Sequence, residues 1–194
     1  MNLPKLSRDL TTGIALIALL ALTRTGHFGG IATPPDASLA VFFLLGLWIA
    51  SPRWLVVALL ADAATDGLAI AQGASSYCIT PAYPFLIPTY GVLWGAGRAT
   101  GVYAARRQGR LRGPVLGVAL LTSTAIAFLV SNATFYALSG YFAAMPAGDF
   151  ARAVSPYFRP YMTGPAAYVA VALVCRRLLL GPERESAASV AAKP

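Results

Sequence analysis

The chain alternates between long apolar runs and short segments rich in glycine, proline or arginine. Because a bilayer core about 30 Å thick needs about 20 apolar residues per helix, these runs predict about six membrane-spanning helices. Their expected limits are residues 9–25, 37–50, 52–73, 83–103, 114–138 and 161–180. Pro88 should kink or break the fourth helix. The long connection before the last helix contains Pro146, Pro156 and Pro160, so it is expected to hold a short helix at most, and Gly181-Pro182 should end the last helix.

Composition and charge support an integral membrane protein of the all-α class. Of the 194 residues, 57% are hydrophobic and 11% are charged, against about a quarter charged in soluble domains. The net charge of +8 comes from basic residues that lie beside apolar runs, which is typical of cytoplasmic loops and argues against nucleic-acid binding. With the N-terminus inside, only Arg24, Arg152 and Arg159 fall outside. Both termini are therefore expected in the cytoplasm, with a single transmembrane domain over residues 1–181 and a flexible cytoplasmic tail over 182–194. The first apolar run has no convincing cleavage site and is read as a retained helix.

The segment Ser75–Phe85, between the third and fourth predicted helices, is expected at the outer membrane face. It is uncharged, aromatic and broken by Pro81 and Pro84, and it carries Cys78, one of the two cysteines. Thiols outside the cytoplasm are not held reduced, so Cys78 could be a nucleophile or a soft metal ligand. The alternative is a small apolar filler. Cys175 is expected at the inner face and looks inert, and a disulfide between the two cysteines is improbable.

Two acidic residues lie four apart on the third predicted helix and share one of its faces. Counting from Arg53, Asp62 falls near the middle of the membrane and Asp66 nearer the outer surface. An acid at such depth normally faces a polar cavity or a partner. For Asp62 we favour a buried acid that is hydrogen-bonded to Ser, Thr or Tyr neighbours. For Asp66 that role and a ligand-site role remain equally open.

Aromatic and polar side chains gather towards the same outer face, where they could line a cavity with apolar walls and a few polar groups. Some of them could instead form an interfacial aromatic belt. The candidate cavity residues, inferred from side and depth, are Tyr77, Phe85, Asn132, Tyr136, Tyr141 and Tyr157. The Gly91-x-x-x-Gly95 spacing in the fourth helix indicates close helix packing.

Several enzyme motifs are absent from the sequence. There is no Walker loop and no Gly-x-Ser-x-Gly elbow, and no glutamate precedes the tail, so a His-Glu metalloprotease pattern is excluded. Any energy for pumping must therefore come from another chain or from a gradient.

The whole pattern resembles the substrate-binding S-components of energy-coupling-factor (ECF) transporters. Within these, it is most similar to the BtuM family of solitary cobalamin-specific S-components. The resemblance rests on Asp66-Gly67, on the segment from Tyr77 to Phe85, and on the Ser131-Asn132 and Gly140-Tyr141-Phe142 stretches.

This resemblance implies a six-helix ECF S-component-like bundle in the bacterial inner membrane that binds cobalamin or a related corrinoid. It implies that Cys78 supplies an axial ligand to the corrinoid cobalt, with Asp66 and Tyr83 at neighbouring polar positions. It also implies thiol-dependent removal of cyanide from cyanocobalamin by Cys78. A thiolate suits cobalt because it is a soft, strong donor.

One departure from the pattern concerns the first helix. S-components that dock on a shared energising module carry small residues four apart there, whereas Ala15, Ala18 and Ala21 are spaced by three. This departure weakens the case for an ECF energising module as partner and suits a solitary transporter, whose other neighbours are corrinoid and membrane lipid.

The sequence thus predicts corrinoid binding and uptake, with three alternatives. The first is an S-component for another vitamin or a metal ion, although a metal transporter would favour a histidine-rich N-terminus. The second is a membrane enzyme that uses Cys78 as nucleophile, although the only histidine, His27, lies in a different predicted outer loop. The third is a purely structural membrane subunit.

Overall fold

A computed structural model describes residues 3–25, 35–49, 51–107 and 113–190. His27, Arg110, Arg112 and residues 191–194 lie outside these ranges, so the expectations that concern them are not addressed. In the described ranges the structure is all helical and has no β-strand. Its elements are α1 (Leu3–Thr25), α2 (Ser38–Trp48), α3 (Pro52–Ala71), a 3₁₀ helix (Tyr83–Phe85), α4 (Leu86–Arg106), α5 (Gly113–Leu138) and α6 (Ala147–Val190).

Three of these helical segments are long and apolar enough to cross a membrane. They are α3, α5 and the Ala147–Leu179 part of α6. Many of their large apolar side chains point away from the protein, as with Leu60, Leu129 and Leu178, which are 66%, 64% and 79% exposed. Apolar side chains arranged in this way on a membrane helix face lipid.

The shortest helix, α2, forms the centre of the core. It is apolar on every side, and its residues from Ser38 to Gly46 are almost all buried against α1, α3, α4 and α6. At 11 residues it is about 16 Å long, about half the thickness of the hydrocarbon core. The second predicted span is therefore a buried core helix that is too short to cross a membrane as a straight helix.

Helices α2 and α4 cross at backbone contact distance, and glycines make this possible. A Cβ at Gly97 would lie 2.0 Å from the carbonyl oxygen of Phe43, and one at Gly46 would lie 2.0 Å from that of Trp94. A Cβ at Gly91 or at Gly95 would have no atom of another element within 4 Å. The expectation of close packing at Gly91 and Gly95 is wrong. The close contact with α2 lies instead at Gly97, two residues further along the same helix.

Proline breaks fewer helices than the sequence predicts. Pro88 does not break α4, because the helix begins at Leu86 and the first-turn N–H groups have no intrahelical partner to lose. Helix α6 continues through Pro156 and Pro160, where an irregular connection is expected, and also through Gly181-Pro182 to Val190.

Aromatic residues on both sides of Pro160 pack against α5, which supports a continuous α6 there. The ring of Phe128 on α5 lies edge-on to Phe158, with ring centres 5.2 Å apart, and to Tyr161, at 5.1 Å. The same α5 ring thereby contacts α6 residues both before and after the proline.

Candidate functional site

A cavity of about 760 Å³ lies between α1, α3, α4, α5 and α6. This volume falls within the range of about 300–1,000 Å³ that small-molecule sites occupy. The cavity is open on one side and its lining is mostly apolar. Two contrasting walls enclose it, and the segment that carries Cys78 reaches both of them.

The first wall, here called the polar wall, consists of Arg24, Asp36, Asp66, Tyr83 and Tyr90. At its centre the Arg24 guanidinium grips the Asp66 carboxylate with two parallel hydrogen bonds, Nε to Oδ1 and Nη2 to Oδ2, both 2.6 Å long. The Tyr83 hydroxyl donates a third hydrogen bond, 2.9 Å, to Asp66 Oδ2. Bidentate arginine–carboxylate pairs of this kind fix orientation as well as charge.

The remaining guanidinium nitrogen of Arg24 meets two further carboxylates. Its Nη1 lies 3.2 Å from Asp36 Oδ2 and 3.0 Å from Asp62 Oδ1. It also donates towards the Tyr90 hydroxyl at 3.1 Å. One arginine at the end of α1 thus connects Asp36, which precedes α2, with α3 and α4, and it offsets part of the charge of three acids.

Asp62 lies deeper, outside the cavity lining, and is buried. The Ser38 hydroxyl oxygen lies 3.2 Å from its Oδ1, and the Tyr90 hydroxyl oxygen lies 3.5 Å from the same atom. These are the serine and tyrosine partners that the sequence predicts for a buried acid. The arginine partner was not predicted.

The second wall, here called the aromatic wall, consists of Phe128, Phe135, Tyr157 and Tyr161 on α5 and α6. Phe128 packs edge-on against Tyr161. Between these rings the side chains of Ser131 and Asn132 also line the cavity. The Asn132 Nδ2 donates to the Phe128 carbonyl oxygen at 2.9 Å, so one of its two N–H donors is used within α5.

Cys78 lies in the turn-rich segment between α3 and the 3₁₀ helix, and its exposed side chain lines the cavity. The segment leaves α3 through Gly73, whose φ of +100° is a left-handed conformation that favours glycine. Short backbone hydrogen bonds shape the rest, with Thr80 N donating to Cys78 O at 3.1 Å and Tyr83 N donating to Thr80 O at 2.8 Å.

The electrostatic setting of Cys78 favours its protonated form. Partial burial raises the pKa of the Cys78 thiol above its ordinary value, and the nearby Asp66 carboxylate raises it further, while Arg24 acts in the opposite direction. The free thiol is therefore protonated near neutral pH. A ligand that binds the thiolate has to release this proton.

The structure brings most of the sequence-predicted site residues to one cavity. Those that line it are Asp66, Tyr77, Cys78, Tyr83, Phe85, Asn132 and Tyr157. Tyr141 and Tyr136 are not among the residues that line the cavity. Tyr141 stacks on Tyr77 with ring centres 4.5 Å apart, and the Tyr136 hydroxyl donates to the Met145 carbonyl at 2.8 Å. The predicted membrane side and depth of a residue could not tell which aromatic residues line the cavity and which form a layer outside it.

Sequence reasoning missed the arginine that organises the polar wall. Arg24 is one of only three basic residues assigned to the outer side, and Asp66 is placed towards that same side. An outer arginine and an outer acid inside apolar runs are expected to pair, so the signal was present. Phe128 and Tyr161 carried no such signal, because several of the apolar runs contain aromatic residues and nothing local distinguishes these two.

No cluster of three or more His, Cys, Asp or Glu side chains within metal-binding distance occurs in the described part of the chain. Cys78 supplies a single soft donor atom on the cavity wall, and the described residues around it do not provide a complete coordination shell for a metal ion. This arrangement fits a metal that arrives with most of its ligands already in place better than it fits a free ion.

The sequence matches no protein-family model, and a comparison with curated proteins finds no match.

Proposed function

We propose that the protein binds a cobalamin-type corrinoid from the outer side of the bacterial inner membrane as a transport substrate. The observation that supports this most directly is the position of Cys78, whose thiol lines a large, mostly apolar cavity and is the only thiol among the lining residues described. A corrin ring supplies four equatorial nitrogens to cobalt and leaves the axial positions to other donors. One thiolate is then sufficient.

In this proposal the thiolate of Cys78 forms the Co–S bond as the existing lower axial ligand leaves and the thiol proton passes to solvent. Asp66 and Tyr83 lie beside this position and offer a carboxylate and a phenol to the polar edge of the ligand. The aromatic wall provides flat apolar surface for the macrocycle. With cyanocobalamin, the thiolate would occupy one axial position and cyanide would leave the other with the thiol proton, as HCN, without a change in oxidation state.

The proposal extends to the membrane arrangement. Six α-helices in the described part of the chain, three of them long and apolar enough to span, are compatible with an S-component-like bundle with both termini in the cytoplasm. The short buried α2 would lie within the bundle rather than cross the membrane by itself. The proposed protein works as a solitary transporter, since the spacing of Ala15, Ala18 and Ala21 does not match the docking pattern of the first helix.

The visible absorption spectrum tests the proposal. Wild type, Cys78→Ala and Cys175→Ala proteins are purified from cells supplied with cobalamin. We expect a corrinoid spectrum in wild type, a changed or missing one in Cys78→Ala, and an unchanged one in the matched control Cys175→Ala, whose exposed thiol is not in the cavity lining. A colourless wild type that also fails to bind added cobalamin would overturn the proposal.

A further inference from the structure

The segment that carries Cys78 is attached to the protein core through a chain of three side chains. Arg24 holds Asp66 by two 2.6 Å hydrogen bonds, and Asp66 accepts the 2.9 Å hydrogen bond from Tyr83. Tyr83 N donates to Thr80 O, and Thr80 N donates to Cys78 O. The guanidinium is thereby linked, contact by contact, to the backbone of Cys78.

The Arg24–Asp66 pair is the buried end of this series of contacts. The Arg24 and Asp66 side chains are 11% and 7% exposed, so neither solvent nor salt screens the pair strongly. The other contacts of Arg24, with Asp36, Asp62 and Tyr90, hold the guanidinium in place from two further directions. The outer attachment of the same segment, the stack of Tyr77 on Tyr141, is exposed to solvent.

We infer that Arg24 is a positioning residue for Cys78: through Asp66 and Tyr83 it fixes the Cys78 segment over the cavity, so that the thiol is held in place before a ligand arrives. The inference deepens the proposed function, because it gives the thiol a preset position for cobalt. The inference depends on the proposed function only for the identity of the ligand that the thiol would bind. The attachment itself can be measured with no corrinoid present.

The chain offers a matched pair of hydroxyls for this measurement. Tyr83 and Tyr90 both contact the Arg24–carboxylate network, but Tyr83 belongs to the Cys78 segment and Tyr90 belongs to α4. Tyr83→Phe removes the attachment of the segment, whereas Tyr90→Phe removes an equivalent hydroxyl that has no link to it. Arg24→Lys keeps the positive charge but loses the bidentate hydrogen bonding to the Asp66 carboxylate.

A nitroxide spin label on Cys78 gives the readout, in a Cys175→Ser background so that Cys78 is the only thiol. In the reference protein we expect one immobilised spectral component. A hydrogen bond to a charged group is strong enough that its loss raises the released population about tenfold or more. A mobile component should therefore grow in Tyr83→Phe and in Arg24→Lys, while Tyr90→Phe should match the reference.

Three results would overturn the inference: a spectrum of Arg24→Lys equal to the reference, a spectrum of Tyr83→Phe equal to the reference, or an equal rise in all three variants. If Arg24→Lys does not yield a monodisperse protein, Asp66→Asn replaces it. An asparagine keeps an acceptor for the Tyr83 hydroxyl but loses the ion pair, so the mobile component should again grow, and an unchanged spectrum contradicts the role of Arg24. A wild type that never binds cobalamin would remove the proposed function and leave these spectra to decide the attachment separately.

Discussion

The two walls of the cavity are built on different physical principles. The polar wall is a small set of charges and hydroxyls from five parts of the chain, joined by short directional bonds around Arg24. The aromatic wall comes from α5 and α6 and is held by edge-on ring contacts such as that of Phe128 with Tyr161. Ion pairs buried in this way tolerate few changes, because loss of one partner strands the others. Ring packing tolerates rearrangement, because each contact contributes little and has no obligatory partner.

Cys78 lies where the two walls meet. Its neighbour Tyr77 contacts Phe135 of the aromatic wall, with ring centres 5.6 Å apart, while Tyr83 bonds to Asp66 of the polar wall. The difference between the walls suggests a division of labour. In the proposed function the polar wall would fix the thiol, and the aromatic wall would adapt to the outline of the ligand.

Removal of the centre of the polar wall should have the largest effect. Arg24→Met leaves Asp62 and Asp66 buried without their cation, which is expected to cost about 3–5 kcal/mol of stability. Thermal unfolding of the purified protein in detergent measures this. Arg152→Met is the matched control, because Arg152 pairs with Asp149 on the exposed surface, where an ion pair contributes at most about 1 kcal/mol. Equal losses in the two variants would contradict the central place of Arg24.

Some features of the fold and of the polar wall can be predicted from the sequence, and others cannot. The helical class, most helix limits and the shared face of Asp62 and Asp66 follow from apolar run length and from helical periodicity. The Arg24 contacts follow only in part. The sequence places an arginine and an acid on the same outer side, but Arg24 and Asp66 are 42 residues apart and no local pattern specifies that these two residues pair. Only the packing of α1 on α3 brings them together.

Local rules also misjudged the prolines and the glycines. Pro160 looks like a helix breaker in sequence, yet α6 continues through it, with ring contacts from α5 on either side. Gly91-x-x-x-Gly95 and the region of Gly97 carry the same kind of signal, and only the position of α2 decides which of them is packed. In each case tertiary contact determines the outcome of a pattern that is ambiguous by itself.

The next largest effect should be a pH dependence that arises where the walls meet. The pKa of the Cys78 thiol is raised by burial and by Asp66, so the thiol carries a proton near neutral pH that Co–S bond formation must release. Corrinoid affinity should therefore fall as pH decreases, by up to about tenfold per pH unit in the range where the thiol is protonated. Titration of aquocobalamin, followed by its visible spectrum, measures this in wild type and Cys78→Ala. A flat profile in wild type, or the same slope in both proteins, would contradict ligation by the thiolate.

A substitution in the aromatic wall should cost less than the loss of Arg24. Phe128→Leu keeps most of the buried apolar volume but removes the edge-on contacts with Phe158 and Tyr161. At about 0.5–1.5 kcal/mol for each aromatic pair, we expect a loss of about 1–3 kcal/mol in thermal unfolding. Leu129→Ala, at the neighbouring outward-facing position, should change stability less. A loss in Phe128→Leu as large as that in Arg24→Met would mean that the two walls do not differ in the way described.

The smallest effect should come from the layer behind the wall. Tyr141 is outside the cavity lining but stacks on Tyr77, which is next to Cys78. Tyr141→Leu removes this stack, and a contact of about 0.5–1 kcal/mol corresponds to a two- to fivefold weaker corrinoid affinity at most. Tyr136→Phe serves as control, since it removes only the hydrogen bond to the Met145 carbonyl. If Tyr141→Leu weakened binding a hundredfold, Tyr141 would have to contact the ligand directly, and the aromatic side of the site would then close around its ligand rather than remain as an open wall.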